Sequence, residues 1–170
     1  MLFEDLQNIL LENRLPEEFD VVLNHLQQDP LARVHLNALL TSEQPALVHG
    51  AMGIAFNLDP EWTVQTGEHL LQHPLEEVRL DFVGYLATFP DPKTTDLLLQ
   101  ALETDPSDEV RCAAVEALGK VAGMEAISEI LEAIQQDETH HQSQNREGKT
   151  LIELGVQAIE DIQARQWITG

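Results

Sequence analysis

Two histidines with helical spacing are the residues of this chain that come closest to metal chemistry. His69 and His73 stand four residues apart in one helical pattern, and Glu68 and Glu76 lie nearby. This spacing places two imidazoles side by side, as zinc sites require. His73 precedes a proline, however, so its ring is expected to face a turn, and such spacing also arises by chance among seven histidines. We therefore expect no metal at this pair.

A second candidate cation site is the dipeptide His140-His141, with Asp137 and Glu138 close by in the sequence. Adjacent residues of a helix point in different directions, so a loop would have to fold around the ion. A solvated polar segment is the simpler interpretation. The sequence therefore predicts neither a metal nor a cofactor.

Motifs for other chemistry are missing from the sequence. It contains no Gly-x-Gly-x-x-Gly, no complete Gly-x-x-x-x-Gly-Lys-Ser/Thr and no Gly-x-Ser-x-Gly, so dinucleotide sites, phosphate loops and nucleophile elbows are not indicated. Gly50, Gly53 and Gly84 fall within helical patterns, where we expect them to allow close helix packing. The chain is predicted to be non-enzymatic, with no catalytic residues.

The elements that carry these residues follow a repeat of 32 residues. The segment PLEEVR at 74–79 returns as PSDEVR at 106–111. The same offset relates the apolar residues Val83 to Val115, Leu86 to Leu118, Leu98 to Ile130, Leu99 to Leu131 and Leu102 to Ile134. A period of this length is typical of stacked arrays, in which each unit buries its apolar face against its neighbours.

Apolar spacing within each repeat predicts two helices joined by a tight turn. In the repeat at 105–136 the apolar spacing of a first helix ends at Gly123, and a second helix follows. Asp-Pro pairs at 29–30 and 59–60 are predicted helix starts, because the aspartate can cap a helix and proline is tolerated in its first turn. Helices are predicted near 2–13, 16–28, 31–41, 45–57, 60–72, 74–88, 93–103, 107–121, 124–136 and 147–165.

The fold is thus predicted to be all-α, a superhelix of antiparallel helix pairs in one domain spanning 1–170. Residues 1–44 are interpreted as degenerate N-terminal helices and residues 45–136 as the repeats. Residues 137–170 are interpreted as a polar loop and a C-terminal capping helix. The stretch 137–145 is either an extended loop or a solvated early part of that helix, and it is predicted to be the most mobile segment.

Charge and composition narrow the function. The net charge of −21 repels phosphate backbones and anionic lipid surfaces, so we expect no nucleic-acid or membrane partner. Acids near the N-terminus and the lack of a long apolar run indicate neither a signal peptide nor a membrane span, and the single cysteine, Cys112, is expected to be reduced and buried. We expect a cytoplasmic protein.

The segment 105–119, with an acid, then Val-Arg, small residues and Ala-Leu-Gly, resembles the HEAT-like repeat first associated with phycobilisome lyases. The resemblance implies an armadillo-like superhelix whose second helices line a concave, protein-binding face. It also implies that Arg79 and Arg111 are held by a structural ladder of acids, drawn from Glu76, Glu77, Asp108 and Glu109. HEAT-like di-iron hydroxylases carry His-Glu dipeptides and HEAT-like DNA glycosylases a basic groove, and this sequence has neither.

We therefore predict a protein-binding scaffold whose concave face accepts a basic protein. The 32-residue register places these predicted partner-binding residues along that face: Gln100, Glu103, Glu129, Glu132 and Gln136. An immunity-type inhibitor of a basic toxin fits the size and charge. The alternative implied by the resemblance is a bilin lyase or chaperone-lyase for phycobiliproteins, although a 5% aromatic content argues against a tetrapyrrole site. The oligomeric state is left open.

Overall fold

The computed structural model describes residues 3–169, with side chains to residue 168, and these residues are almost entirely helical. They include no strand, although Gln144 and Thr150 form an isolated antiparallel bridge. The all-α prediction is confirmed. The predicted first-helix start at residue 2 and the predicted domain ends at 1 and 170 lie outside the described residues. By its contacts the chain divides into two compact units, Met1–Leu70 and Leu71–Gly170.

The first unit is built around one helix that is apolar on nearly all sides. Its helices are α1 (Phe3–Leu11), α2 (Leu15–Gln28), α3 (Ala32–Leu40), α4 (Pro45–Leu58) and α5 (Pro60–Thr66), followed by a 3-10 helix at Gly67–Gln72. Helices α1, α2, α3 and α5 all pack against α4. Eight of the fourteen residues of α4 are buried, as expected for a helix at the centre of a unit.

The second unit has the same plan around α8. Its helices are α6 (Glu76–Leu86), α7 (Pro92–Thr104), α8 (Asp108–Val121), α9 (Ile127–His140) and α10 (Leu151–Thr169), with a 3-10 helix at Met124–Ala126 before α9. Helices α6, α7 and α10 pack against α8, and α9 packs against α7 and α10. The helix pairs α6–α7 and α8–α9 are the two copies of the 32-residue repeat.

Glycine lets the backbones of α8 and α10 approach closely in this unit. A Cβ on Gly119 of α8 would lie 2.9 Å from the Cα of Ala158 on α10, so only glycine lets the two backbones come this near. The glycine predictions have mixed outcomes. A Cβ on Gly50 would overlap the side chain of Leu10, which confirms close packing there, whereas Gly84 has open space around it and that prediction is wrong.

One of the two predicted Asp-Pro helix starts is confirmed. Asp59 Oδ1 accepts a hydrogen bond from Trp62 N at 3.1 Å, which confirms the Asp-Pro start of α5. Asp29 accepts from Leu31 N at 2.8 Å but does not cap α3, which begins at Ala32, one residue later than predicted. None of the described helices is both long enough and apolar enough to cross a membrane.

The polar segment predicted as a loop at 137–145 is shorter than expected. Helix α9 continues to His140, so only the residues after it form a turn. Asp137 and Ser143 are buried, and Ser143 N donates to Asp137 Oδ2 at 2.9 Å. Leu151 N donates to the carbonyl of Ser143 at 3.0 Å. The prediction missed this because the segment's polar residues bond to each other inside the fold.

Candidate partner-binding surface

The five predicted partner-binding residues lie on two neighbouring helices, and we call them the α7–α9 surface: Gln100, Glu103, Glu129, Glu132 and Gln136. Helix α7 packs against α9, as the repeat predicts for successive second helices. On α9 the three residues follow one another at intervals of three and four, which places them on one stripe. Gln100 is half-buried and the other four are exposed.

A shallow groove between α7 and α9 gathers part of this surface. Glu103 and Gln136 line it together with His140 and His141. The apolar and paired residues beneath them are Leu102, Arg111, Ala133 and Asp137. Gln100, Glu129 and Glu132 do not line the groove. The structure therefore brings two of the five predicted residues into a concavity and leaves three on the open helix surfaces.

Local hydrogen bonds orient two acidic side chains of α9, Glu129 and Glu132. Ser128 Oγ donates to Glu129 Oε2 at 2.6 Å, and this bond is the main cause of the lowered pKa of Glu129. Gln136 Nε2 donates to Glu132 Oε1 at 3.3 Å. Helix α9 carries no lysine or arginine along its whole length. Its exposed surface therefore has negative charge that no cation of the same helix neutralises.

A buried arginine of α6, Arg79, binds the residue that follows α7, one of the two helices of the groove. Arg79 donates through Nε to Asp105 Oδ2 at 2.8 Å and through Nη2 to Asp105 Oδ1 at 3.1 Å. Its Nη1 donates to the carbonyl of His73 at 2.8 Å. Both side chains of this pair are buried. A bidentate arginine and carboxylate bond of this kind is strong and directional.

In the next repeat Arg111 is held in a related way, except that a serine hydroxyl lies between the arginine and the aspartate. Arg111 Nη1 donates to the carbonyl of Asp105 at 2.5 Å, six residues before it, just as Arg79 donates to His73. Arg111 Nη2 donates to Ser143 Oγ at 2.6 Å, and Ser143 in turn bonds Asp137. The Nε of Arg111 lies 4.0 Å from Asp137 Oδ1. The serine hydroxyl therefore stands between the two charges.

The ladder was predicted, but most of its acids were not. Of the four acids expected to hold the arginines, Asp108 does so, accepting from Arg111 Nη2. Glu76 and Glu109 instead bind Arg146, through its Nη2 at 2.6 Å and its backbone N at 2.7 Å. Asp105, the partner of Arg79, lies 26 residues after it, and Asp137, which Ser143 joins to Arg111, lies 26 residues after Arg111. The signal that could have found them is this spacing, which recurs between Arg33 and Asp59.

The predicted histidine pair is held by backbone groups. His69 Nδ1 lies 3.1 Å from the carbonyl of Thr66, and its Nε2 lies 3.3 Å from the carbonyl of Leu40. His73 Nδ1 accepts from Leu75 N at 3.1 Å. Among residues 3–169, no group of three histidine, cysteine or carboxylate side chains is placed to hold a metal ion.

The cysteine next to the ladder is buried and free, as expected from the sequence. Burial is the main cause that raises the pKa of Cys112 to about 12, and the carboxylate of Asp108 is the next largest. The thiolate is the reactive form of cysteine, so this side chain is protonated and unreactive at neutral pH.

Both helix pairs with a buried arginine fall in a region of recognisable sequence. Residues 65–142 match the family model of HEAT repeats. The HEAT-like resemblance is therefore confirmed over this range, which contains α6 to α9 and the whole α7–α9 surface. Comparison with curated proteins and with solved structures gave no match. HEAT repeats generally mediate interactions between proteins.

Proposed function

We propose that the α7–α9 surface binds a basic segment of another protein, and that the chain is a scaffold without catalytic activity. One observation carries the proposal: Glu103, Glu129 and Glu132 are exposed on two adjacent helices, and α9 has no lysine or arginine. The HEAT-repeat match over 65–142 supports a protein as the class of partner.

The mechanism would be rigid display of charge. Arg79 joins α6 to Asp105 after α7, and Ser143 joins Arg111 of α8 to Asp137 of α9, so α7 and α9 present their acids in a fixed geometry. A preorganised surface loses little conformational entropy on binding. The charge of −21 also attracts a cationic partner over distance, which raises the association rate at low salt.

The groove composition favours a protein partner over a bilin. Its exposed lining consists of Glu103, Gln136, His140 and His141, and no phenylalanine, tyrosine or tryptophan lines it. A tetrapyrrole needs a largely apolar pocket with a few placed polar groups. The lyase alternative therefore has no support from this groove. An immunity-type inhibitor remains one form of the proposed function, with a basic toxin as the partner.

The experiment starts by identifying a partner and then tests the surface. Proteins captured from lysate at low salt and released at high salt are identified by mass spectrometry, and the most basic candidate is purified. Its affinity is measured for Glu129→Lys/Glu132→Lys and for the control Glu77→Lys/Glu116→Lys, which makes the same charge change at exposed positions on α6 and α8. We expect about a tenfold or larger loss for the first pair only.

Two results would contradict the proposal. If both double variants weaken binding equally, the partner senses overall charge and the α7–α9 surface has no special role. Unchanged affinity of the first pair would remove this surface altogether. All four substitutions are at exposed positions, so the melting temperature of each variant should stay within about 2 °C of the parent, and circular dichroism checks this.

A further inference from the structure

Aliphatic side chains on α9 and α10 remain uncovered beside the contact between these helices. Leu131 is 46% exposed and Val156 is 49% exposed. Ile127, Ile152 and Ile159 are half-buried. We call these five residues the α9–α10 edge. Single exposed aliphatic residues are common on protein surfaces, but a group on two packed helices indicates an interaction site.

The contact between the helices shows why these residues belong together. Ile134 of α9 lies against Gly155 of α10, where any Cβ would overlap the isoleucine side chain. Leu131 lies one helical turn before Ile134 on the same stripe of α9. Ile152 and Ile159 lie one turn before and one turn after Gly155 on the same stripe of α10. The uncovered side chains therefore flank a single line of contact.

The internal repeat shows what is missing at this place. Leu99 of α7 corresponds to Leu131 of α9 by the 32-residue offset, and it is half-buried in a helix with α9 packed beside it. Helix α10 packs mainly against α8 and also against α9, as the first helix of a next repeat would, and within residues 3–169 no second helix follows it. Leu131 is exposed, whereas its counterpart Leu99 is half-buried.

The charges around the edge select the kind of helix that fits. Glu138 on α9 and Glu153 and Glu160 on α10 are exposed, and Lys149, just before α10, is the cation near Glu153. The arginine of α10, Arg165, donates to the carbonyl of Ala122 at 2.5 Å and to that of Gly119. A second copy of the chain would bring equal acidic rims together, so charge complementarity disfavours it. A cationic helix meets no such repulsion.

We propose that the α9–α10 edge binds an amphipathic helix of another protein. The helix has leucine-like residues on one side, which cover Leu131 and Val156, and lysine or arginine residues along its flanks. This is the helix-in-groove mode of recognition, in which apolar residues at intervals of three and four provide the anchors. The site is separate from the α7–α9 surface and does not depend on it.

The test uses a defined probe. An 18-residue fluorescent peptide of leucine and lysine, with leucines on one helical face, is compared with a peptide of the same composition in scrambled order. We expect tighter binding of the amphipathic peptide by fluorescence anisotropy. Leu131→Gln should weaken it about tenfold. The control Leu75→Gln, at a leucine that is 42% exposed at the start of α6, should change it less than twofold.

Several outcomes would overturn the proposal. Equal binding of the two peptides, or equal effects of the two variants, would mean that only charge is sensed. A dimer of the parent protein that Leu131→Gln dissociates in sedimentation velocity would make a second copy the occupant. The Glu129→Lys/Glu132→Lys variant separates the two surfaces, because it should retain the tenfold dependence on Leu131 even if the α7–α9 surface binds no partner.

Discussion

The same arginine and aspartate spacing occurs in both units of the molecule, but with opposite burial. Arg33 pairs with Asp59 in the first unit, and its side chain is 63% exposed. Arg79 pairs with Asp105 in the second unit, and its side chain is 8% exposed. The separation of 26 residues determines which arginine and aspartate form an ion pair, whereas burial determines how much that ion pair contributes to stability. Exposed ion pairs contribute little, while a buried charge without its partner is costly.

The third arginine and aspartate with this spacing are joined through another residue. Arg111 and Asp137 are also buried and also 26 residues apart, but Ser143 stands between them. Its hydroxyl accepts from the arginine and donates to the aspartate. The turn after α9 thereby becomes part of the ladder, and this explains why a sequence that looks like a loop is held in place.

The largest expected effect is at the buried bidentate pair. Arg79→Ala should lower the free energy of unfolding by about 3–5 kcal/mol, because Asp105 remains buried without its cation. Urea denaturation followed by circular dichroism measures this. Arg79→Lys, which keeps a charge but not the bidentate geometry, should fall between the parent and the alanine variant. A loss below about 1 kcal/mol for the alanine variant would mean that burial does not distinguish the two units.

The thiol of Cys112, next to Arg111, tests whether water is excluded from the buried part of the ladder. Because the pKa of Cys112 is raised from 9.0 to about 12, its thiolate fraction at pH 8 should be about a thousandfold below that of an ordinary cysteine. Alkylation by iodoacetamide, followed by mass spectrometry, should therefore be very slow in the folded protein and fast in urea. Comparable rates in the two conditions would contradict the burial of this side chain.

A smaller effect is expected where the hydroxyl joins the two charges. Ser143→Ala should lower the free energy of unfolding by about 1–3 kcal/mol, because Arg111 and Asp137 each lose a buried hydrogen-bond partner. The control is Ser128→Ala, which removes the bond of an exposed serine to Glu129 and should cost less than about 0.5 kcal/mol. Similar losses for the two serines in urea denaturation would show that Ser143 does not bridge the pair.

The smallest effect is expected in the first unit. Arg33→Ala should change the free energy of unfolding by about 0–1 kcal/mol, because this arginine is well solvated. Repeating the measurement in 1 M NaCl should reduce even this difference, since salt screens exposed pairs. A loss comparable to that of Arg79→Ala would remove the distinction between the exposed and the buried pair.

Helix positions could be predicted from the sequence because apolar spacing and Asp-Pro starts are local signals. The structure places helices at nearly every predicted span, and it begins α8 one residue after the predicted start. The division of the chain at residues 44 and 136 stays a prediction. Local signals did not show that α9 runs to His140, because its last turn is polar and its one buried residue, Asp137, bonds Ser143 inside the fold.

The candidate surface could be predicted only as far as the repeat register reaches. The register correctly placed all five residues on α7 and α9, and the binding role of those residues stays a prediction. It did not indicate that His140 and His141 line the groove with Glu103, because that depends on how far α9 extends. It also missed Asp105 as the partner of Arg79, since an acid 26 residues away is not a local signal.

Asp105 has a consequence for how the second unit unfolds. Its carboxylate accepts from Arg79 of one repeat and from the backbone N of Ser107, which precedes the first helix of the next. One side chain therefore ties the end of a repeat to the beginning of its successor. Such nearest-neighbour coupling makes a repeat array open as a group rather than one helix pair at a time. In native-state hydrogen exchange, the amides of α6 and α8 should share one opening free energy.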